Sequence, residues 1–72
     1  MNNNNFKQLI SPVPSYYVID GRVKTYEKKE QIKSWAGYWN KEMRCWQIDN
    51  PDEKCREELK KEGLIFQFAK YI

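Results

Sequence analysis

The sequence predicts an α+β domain with the element order ββ-α-ββ-α-β, in which two short helices cover one face of an antiparallel or mixed sheet. Three observations predict this fold class. An Asp-Gly pair stands between residues that favour strands, apolar residues then recur at helical spacing up to Gly37, and a proline-containing helix-start signal follows at residues 50–53. Because each helix is apolar on one side only, both need a sheet face to cover. The opposite sheet face is expected to stay partly open.

The chain is short and rich in aromatic residues. Its 72 residues allow one domain, and the 15% aromatic share predicts a core built around large rings rather than many aliphatic side chains. We divide the chain into a flexible or loosely packed lead, residues 1–14, and a single α+β domain, residues 15–72. Within the lead, Phe6, Leu9 and Ile10 can fold back onto the domain.

The first predicted elements are a hairpin and a helix. The hairpin spans residues 16–24, because Asp20-Gly21 readily takes the positive φ angles of a two-residue β-turn. Thr25 can cap the helix that follows, which is predicted to end at Gly37. The apolar residues of this helix fall at helical spacing and predict its buried stripe: Ile32, Trp35 and Ala36.

A second hairpin is predicted after this helix. Its strands, residues 38–39 and 44–48, flank a polar turn. A symmetric turn places Trp39 opposite Trp46, so that both indoles share one face with Ile48 and belong to the core. The other face takes the alternate residues: Tyr38, Cys45 and Gln47.

The second helix has the clearest local start signal in the chain. Asn50 can act as the N-cap, Pro51 suits the first helical position, and Glu53 at the third position can close a capping box. A helix is therefore predicted to begin here.

This second helix is predicted to stop at Gly63, where Leu64 can pack against Leu59 in a Schellman-type contact. The remaining residues, 64–72, alternate between apolar and other side chains as a strand does. The residues expected to face the core are Leu64, Phe66 and Phe68.

The sequence lacks the residues that most catalytic and metal sites require. It has no histidine, which is the commonest metal ligand and general base, and no glycine-rich phosphate loop. Cys45 and Cys55 are interpreted as small buried hydrophobes in preference to a disulfide or a reactive pair. Asp52 and Glu53 suit the positive end of their own helix. We therefore predict a protein that is not an enzyme and that binds neither a cofactor nor a metal ion.

The net charge of +3 is unevenly distributed. Residues 1–48 hold eight Lys/Arg and four Asp/Glu, whereas residues 49–72 hold five and six. A basic first two thirds is compatible with a polyanionic partner without requiring one. The sequence contains neither an apolar run of membrane-spanning length nor a signal-peptide-like stretch, so a cytoplasmic location is predicted.

The side chains left for a binding surface are basic and aromatic. Nucleic-acid binding needs cations along the phosphates and often flat rings on which unpaired bases stack. Tyr17 and Tyr71 are rings that the core needs little, and the predicted nucleic-acid-binding set consists of Arg22, Lys24, Lys28, Lys29, Lys33, Tyr38, Lys41 and Arg44. An alternative interpretation is that the lysines only solvate a helix face, because Glu27, Glu30 and Glu42 are interleaved with them.

Residues 29–33 read K-x-x-I-K, residues 37–40 read G-x-W-N, and a second tryptophan follows at Trp46 after a short polar turn. This combination resembles a small domain of unknown function attached to plasmid primases and other mobile-element DNA-processing proteins. The family has Gly-Ala where this chain has Ala36-Gly37, and a basic residue where this chain has Tyr38. A weaker likeness exists to the DNA-annealing helicase accessory domain. Both resemblances imply a role in DNA metabolism and bring no catalytic residue.

Two functional hypotheses follow. The first is a nucleic-acid-binding module from a phage or mobile element that favours single strands or distorted duplex, with Tyr38 stacking on a base. The second is a phage-encoded protein-binding inhibitor of a host enzyme or defence complex, of the anti-CRISPR type, which would use the acidic helix or the open sheet face. A third possibility is that the final strand, residues 64–72, adds to a partner's sheet. The sequence leaves the choice between DNA, RNA and protein targets open.

Overall fold

Four antiparallel strands and two short α-helices make up the fold in the computed structural model, which describes residues 12–72. The elements in chain order are β1 (Pro14–Ile19), a 3-10 helix (Thr25–Lys28), α1 (Lys29–Ser34), β2 (Tyr38–Asn40), β3 (Cys45–Asp49), α2 (Glu53–Lys61) and β4 (Ile65–Tyr71). The sheet has the strand order β2-β3-β1-β4. The predicted α+β class is thus confirmed. The expectation for Phe6, Leu9 and Ile10 lies outside the described residues.

β1 is an inner strand, and both of its edges are paired. Tyr16 lies opposite Ile48 of β3 on one side and opposite Phe68 of β4 on the other. The predicted first hairpin is therefore wrong, because β1 has no edge left for residues 22–24. The chain instead turns away at Gly21, and the Arg22 N–H donates to the carbonyl of Gly63 at 2.8 Å. This close approach also requires Gly21, since a Cβ there would collide with the same carbonyl.

The predicted first helix is present but begins and ends differently. The Thr25 N–H donates to the Asp20 carboxylate at 2.7 Å, so Asp20 binds the start of the 3-10 helix and Thr25 does not act as its side-chain cap. Ala36, predicted in the buried stripe, is exposed and takes the left-handed conformation at φ 67°. Gly37 follows so close to Ile32 that a Cβ would have no room. A glycine is thus required there for packing.

The predicted second hairpin is confirmed. Trp39 lies opposite Trp46, and the two indoles meet edge to face with ring centroids 5.8 Å apart. Trp46 packs against the buried core together with Ile48. Trp39, however, is 49% exposed, so the prediction that it belongs to the core is wrong. The reason is that β2 is a three-residue edge strand, and no further strand of residues 12–72 lies beyond it to cover the ring.

The start of α2 lies two residues beyond the predicted position. Asp52 is the N-cap, and its carboxylate accepts the Cys55 N–H at 2.8 Å. Asn50 instead takes a left-handed conformation at φ 51°, and its N–H donates to the carbonyl of Pro14 at 2.7 Å. Because that bond ties Asn50 to the end of the sheet, the helix can begin only after Pro51. The predicted capping box, with Asn50 as cap and Glu53 closing it, is therefore wrong.

The end of α2 is as predicted. Gly63 takes φ 108°, and the Leu64 N–H donates to the carbonyl of Leu59 at 3.1 Å, which is the long-range bond of a Schellman motif. Leu59 and Leu64 both lie in the core. The helix stop and the entry into β4 are thus fixed by the same two leucines.

The core is mainly aliphatic, in contrast to the aromatic core that the composition predicts. Both helices contribute to it, which confirms that they cover one sheet face, and its buried residues are Val18, Ile32, Ile48, Cys55, Leu59 and Leu64. Large rings flank this cluster: Trp35, Trp46 and Phe66 are partly buried against it. Phe68, predicted to face the core, is 46% exposed, because it lies beyond the part of the sheet that the helices cover.

The sheet face away from the helices carries a polar network over β1, β2 and β3. The Gln47 Nε2 donates to the Ser15 hydroxyl, which donates to the Asp49 carboxylate at 2.6 Å. The Asn40 amide donates to the Gln47 Oε1 at 2.8 Å. Ser15 and Gln47 are buried although they lie on the face predicted to be open. Their hydrogen bonds link β1, β2 and β3 and satisfy these buried polar groups.

Leu59 offers a direct test of the core. We expect Leu59→Ala to lower the free energy of unfolding by about 2–5 kcal/mol, because it removes buried methyl groups and leaves a cavity. For a domain of this size that loss is comparable with the whole stability. The measurement is urea denaturation followed by circular dichroism. Met43→Ala, at an exposed turn position, should change the value by less than about 0.5 kcal/mol, and equal effects of the two substitutions would contradict the assigned core.

Cys55 predicts a dependence of stability on pH. Burial, followed by the nearby Asp52 carboxylate, raises the pKa of this thiol from 9.0 to about 11. Since the folded state resists loss of this proton, the free energy of unfolding should fall as the pH rises from 9 to 11, by up to about 2–3 kcal/mol. The measurement is urea denaturation across that range for wild type and Cys55→Ala, which should lose this part of the slope. Parallel pH profiles for the two proteins would refute the assignment.

Candidate functional site

Two of the predicted lysines are engaged by carboxylates. The Lys28 ammonium lies 2.9 Å from Glu62, and Lys33 lies 4.0 Å from Glu30. The hydrogen bond from Lys28 lowers the pKa of the Glu62 carboxyl. Both pairs reduce the positive charge of the first helix. Lys28 and Lys33 are thus weak candidates for phosphate contacts.

Arg22 and Lys24 lie in the loop between β1 and the 3-10 helix. The Arg22 guanidinium donates to the Lys61 carbonyl at 3.1 Å, where it caps the last turn of α2. Lys24 is exposed, and no carboxylate within residues 12–72 forms an ion pair with it. Arg22 therefore has a structural contact, whereas Lys24 projects into solvent.

Lys29 lies over an aromatic ring that sequence reasoning did not select. Its ammonium is 4.7 Å from the centre of the Tyr26 ring, and Tyr26 is 73% exposed. The i, i+3 spacing of the two residues was the available signal. Cation and ring together form a small exposed site on the first helical segment.

The tip of the second hairpin carries Lys41 and Arg44. The turn is held by Asn40, whose carbonyl accepts the Arg44 N–H at 2.7 Å and whose side-chain oxygen accepts the Met43 N–H at 2.9 Å. Arg44 takes the left-handed conformation at φ 56°. Lys41 and Arg44 are both exposed, and within the described residues neither forms an ion pair. The turn thus presents two cations from a hydrogen-bonded backbone.

Trp39 and Arg44 line the same shallow groove, which we call the Trp39 groove. It has a volume of about 390 Å³ and also contacts Asp20, Thr25 and Cys45. Thr25 opens the helical segment that carries Tyr26 and Lys29, so the groove joins the hairpin to the start of that segment. The structure therefore brings an exposed indole next to an arginine. The Asp20 carboxylate in this groove already accepts a hydrogen bond from the Thr25 N–H.

Tyr38 lies on the other side of the sheet. It pairs with Gln47, and alternate residues of a strand point to opposite faces, so Tyr38 faces away from Trp46 and from the helices. Its hydroxyl donates to the Asp49 carboxylate at 3.1 Å. Partial burial and then this hydrogen bond raise the pKa of the Tyr38 phenol. The predicted set is thus divided between two faces, and Tyr38 does not join the lysines of the first helix.

The described residues offer little for metal or thiol chemistry. Within residues 12–72, no three His, Cys, Asp or Glu side chains are grouped so that they could hold a metal ion. Cys45 and Cys55 are both free thiols, and burial raises the pKa of each. In the same part of the chain, no helix has the length and apolar character needed to cross a membrane.

Comparison of the chain with protein-family models, with curated proteins and with solved structures finds no match. The resemblance of residues 26–46 to the mobile-element domain therefore stays a prediction.

Proposed function

We propose that this protein is a non-catalytic module of the cytoplasm that binds single-stranded nucleic acid at the Trp39 groove and the adjoining hairpin tip. Trp39 would stack on an unpaired base, while Arg44 and Lys41 would contact the phosphates. Lys24 and Lys29 would extend this contact along the strand. The observation that supports the proposal most directly is a half-exposed indole sharing one groove with an arginine.

The proposed preference for a single strand follows from the exposed indole of Trp39 in a shallow groove. A flat exposed ring binds any base with a free π-face, whereas the bases of a duplex are stacked on one another. Duplex readers commonly place a helix in the major groove, but α1 has only six residues and its Lys33 lies against Glu30. A shallow groove with one indole suits an unpaired base better than a duplex.

The charge distribution supports the same site. Lys28 and Lys33 are partly neutralised, whereas Lys24, Lys41 and Arg44 form no ion pair within the described part of the chain. Exposed cations without carboxylate partners can replace the counterions of a nucleic-acid backbone, and the release of those ions favours binding. The proposed site therefore keeps the basic residues of the hairpin and replaces Tyr38 by Trp39 as the stacking ring.

The resemblance noted in the sequence agrees with this proposal. The G-x-W-N segment of that motif includes Trp39 and Asn40, the residue whose side chain holds the hairpin turn. A family attached to mobile-element DNA-processing proteins is compatible with an origin in a phage or mobile element. It is also compatible with DNA as the natural ligand.

The proposal predicts salt-dependent binding to a labelled single-stranded oligonucleotide. With about four phosphate contacts, the affinity should fall roughly fiftyfold between about 50 and 200 mM salt, because counterions are released on binding. Fluorescence anisotropy with DNA and RNA strands, and with the matching duplex, measures this fall and the preference. Trp39→Ala should weaken binding roughly five- to 150-fold, the loss expected for one stacked base.

Matched variants separate stacking from a loss of folding. Trp39→Tyr keeps a ring and should retain most of the affinity. A Lys41→Gln/Arg44→Asn double variant removes two charges and should flatten the salt dependence; asparagine tolerates the positive φ of residue 44. Met43→Ala, next to Arg44 on the same turn, should bind as wild type does. Absence of binding at low salt by a folded wild-type protein would refute the proposal.

The competing hypothesis of a protein-binding inhibitor predicts a different outcome. It would use the acidic helix, where Glu57 and Glu58 are exposed on α2. A Glu57→Gln/Glu58→Gln variant should keep its affinity for nucleic acid under our proposal. Capture of a host protein that survives nuclease treatment and is lost in this variant would favour the inhibitor instead.

A further inference from the structure

β4 occupies one edge of the sheet, and the backbone hydrogen-bonding groups on its outer side are unpaired within residues 12–72. Its seven residues pair with β1 on one side, and no strand of the described chain pairs with the other side. The backbone N–H and C=O groups on that side can therefore accept another strand. The opposite edge is formed by β2, which has only three residues and offers a much shorter template.

β4 also lacks most of the features that block pairing between sheet edges. Its sequence, IFQFAKY, contains no proline, and Lys70 is its only charged residue. Proteins usually protect long edge strands with proline, with several charges or with a covering segment. The register shift opposite Ser15 and Tyr16 affects only the C-terminal part of β4. Residues 65–68 form a regular stretch that is open to pairing.

The side chains of β4 are apolar where another strand would contact them. Phe68 and Tyr71 lie on the same face, with ring centroids 5.0 Å apart, because the register shift adds one residue between them. Phe68 also packs edge to face on Tyr16, with ring centroids 5.8 Å apart. Tyr71 is 65% exposed, and Ile65 is exposed on the opposite face. Both faces of this edge therefore have apolar surface to bury.

We infer that β4 pairs antiparallel with β4 of a second copy of this chain, so that the two four-stranded sheets become one eight-stranded sheet. Antiparallel pairing about a two-fold axis needs only one self-complementary segment. It places the C-terminal half of each strand opposite the N-terminal half of the other. Lys70 then lies opposite uncharged residues, and the two lysines do not face each other. Phe68 and Tyr71 of both copies then share one face of the joined sheet, and Ile65 of each copy lies on the other face.

The expected dimer is weak, because the addition of one strand buries an area at the small end of specific interfaces. It should therefore form in a concentration-dependent way. The strand order places β2 and its hairpin at the edge farthest from β4. Dimerisation would leave the Trp39 groove of each copy accessible, and one particle would carry two such grooves.

Sedimentation velocity without nucleic acid tests this inference. The mass should rise from 8.8 kDa at low protein concentration towards twice that value at high concentration. A Phe68→Lys/Tyr71→Lys double variant should stay monomeric at every concentration, because it adds charges that would face the partner strand. Met43→Lys makes a matched change at a side chain that is 53% exposed on the hairpin turn, and it should dimerise as wild type does.

A second variant and hydrogen exchange separate loss of dimerisation from loss of folding. If circular dichroism shows that the double variant is unfolded, Tyr71→Lys alone, at the end of the strand, serves in its place. Hydrogen exchange should show residues 65–71 more protected at high protein concentration. A wild-type protein that stays monomeric throughout, or a dimer that persists in the folded β4 variants, would overturn the inference. Trp39→Ala should still dimerise and the β4 variants should still bind an oligonucleotide, so failure of one proposal is distinguishable from failure of the other.

Discussion

The pairing of β1 along both of its edges is the constraint on which the rest of the structure depends. With β3 on one side and β4 on the other, β1 is tied to segments about 30 and 50 residues further along the chain. The chain must therefore leave the sheet after Ile19 and return twice. Each return takes a short helix across the same face, and this places Ile32, Cys55 and Leu59 over Val18. The sheet and its helical layer thus follow from one centrally placed strand.

A domain this small cannot cover all of its large side chains. Its two helices cover the middle of the sheet, where the fully buried residues are mostly aliphatic, and the rings lie around them. Trp39 at the β2 edge and Phe68 on β4 remain about half exposed. Exposed rings of this kind lose little side-chain entropy on binding and bury a large area, which makes them suitable anchors for a partner. The limited helical coverage that makes the core small therefore also leaves exposed the rings that we propose as binding surfaces.

Short sequence patterns correctly predicted the second hairpin and the end of α2, because residues close together in the chain determine both. The pairing of Trp39 with Trp46 follows from a short symmetric turn, and the stop at Gly63 follows from the glycine and the leucines beside it. The Asp20-Gly21 pair wrongly predicted a hairpin, because β3 and β4 occupy both edges of β1 and leave no place for residues 22–24. A local pattern cannot reveal pairing with segments so far along the chain. The helix-start signal at Asn50 failed for a related reason, since the bond from its N–H to Pro14 is a long-range contact. Six of the eight candidate site residues are exposed, whereas Lys28 and Lys29 are half-buried, and the division of the set between two faces depends on tertiary contacts.

The distribution of charge explains why we propose the hairpin, and not the first helix, as the site for an anionic strand. The sequence places more lysines on the first helix, yet Glu62, brought from the end of α2, lies against Lys28, and Glu30 lies near Lys33. No acid of the described chain does the same for Lys41 and Arg44, which project from a turn held by Asn40. An exposed charge pair contributes little to stability, but its carboxylate lowers the positive potential that the lysine offers to a phosphate backbone. The tertiary contacts therefore leave Lys41 and Arg44 without an ion pair in the described chain, at the end of the sheet where Trp39 is exposed. The proposed stacking ring and the proposed phosphate contacts thus lie at one location.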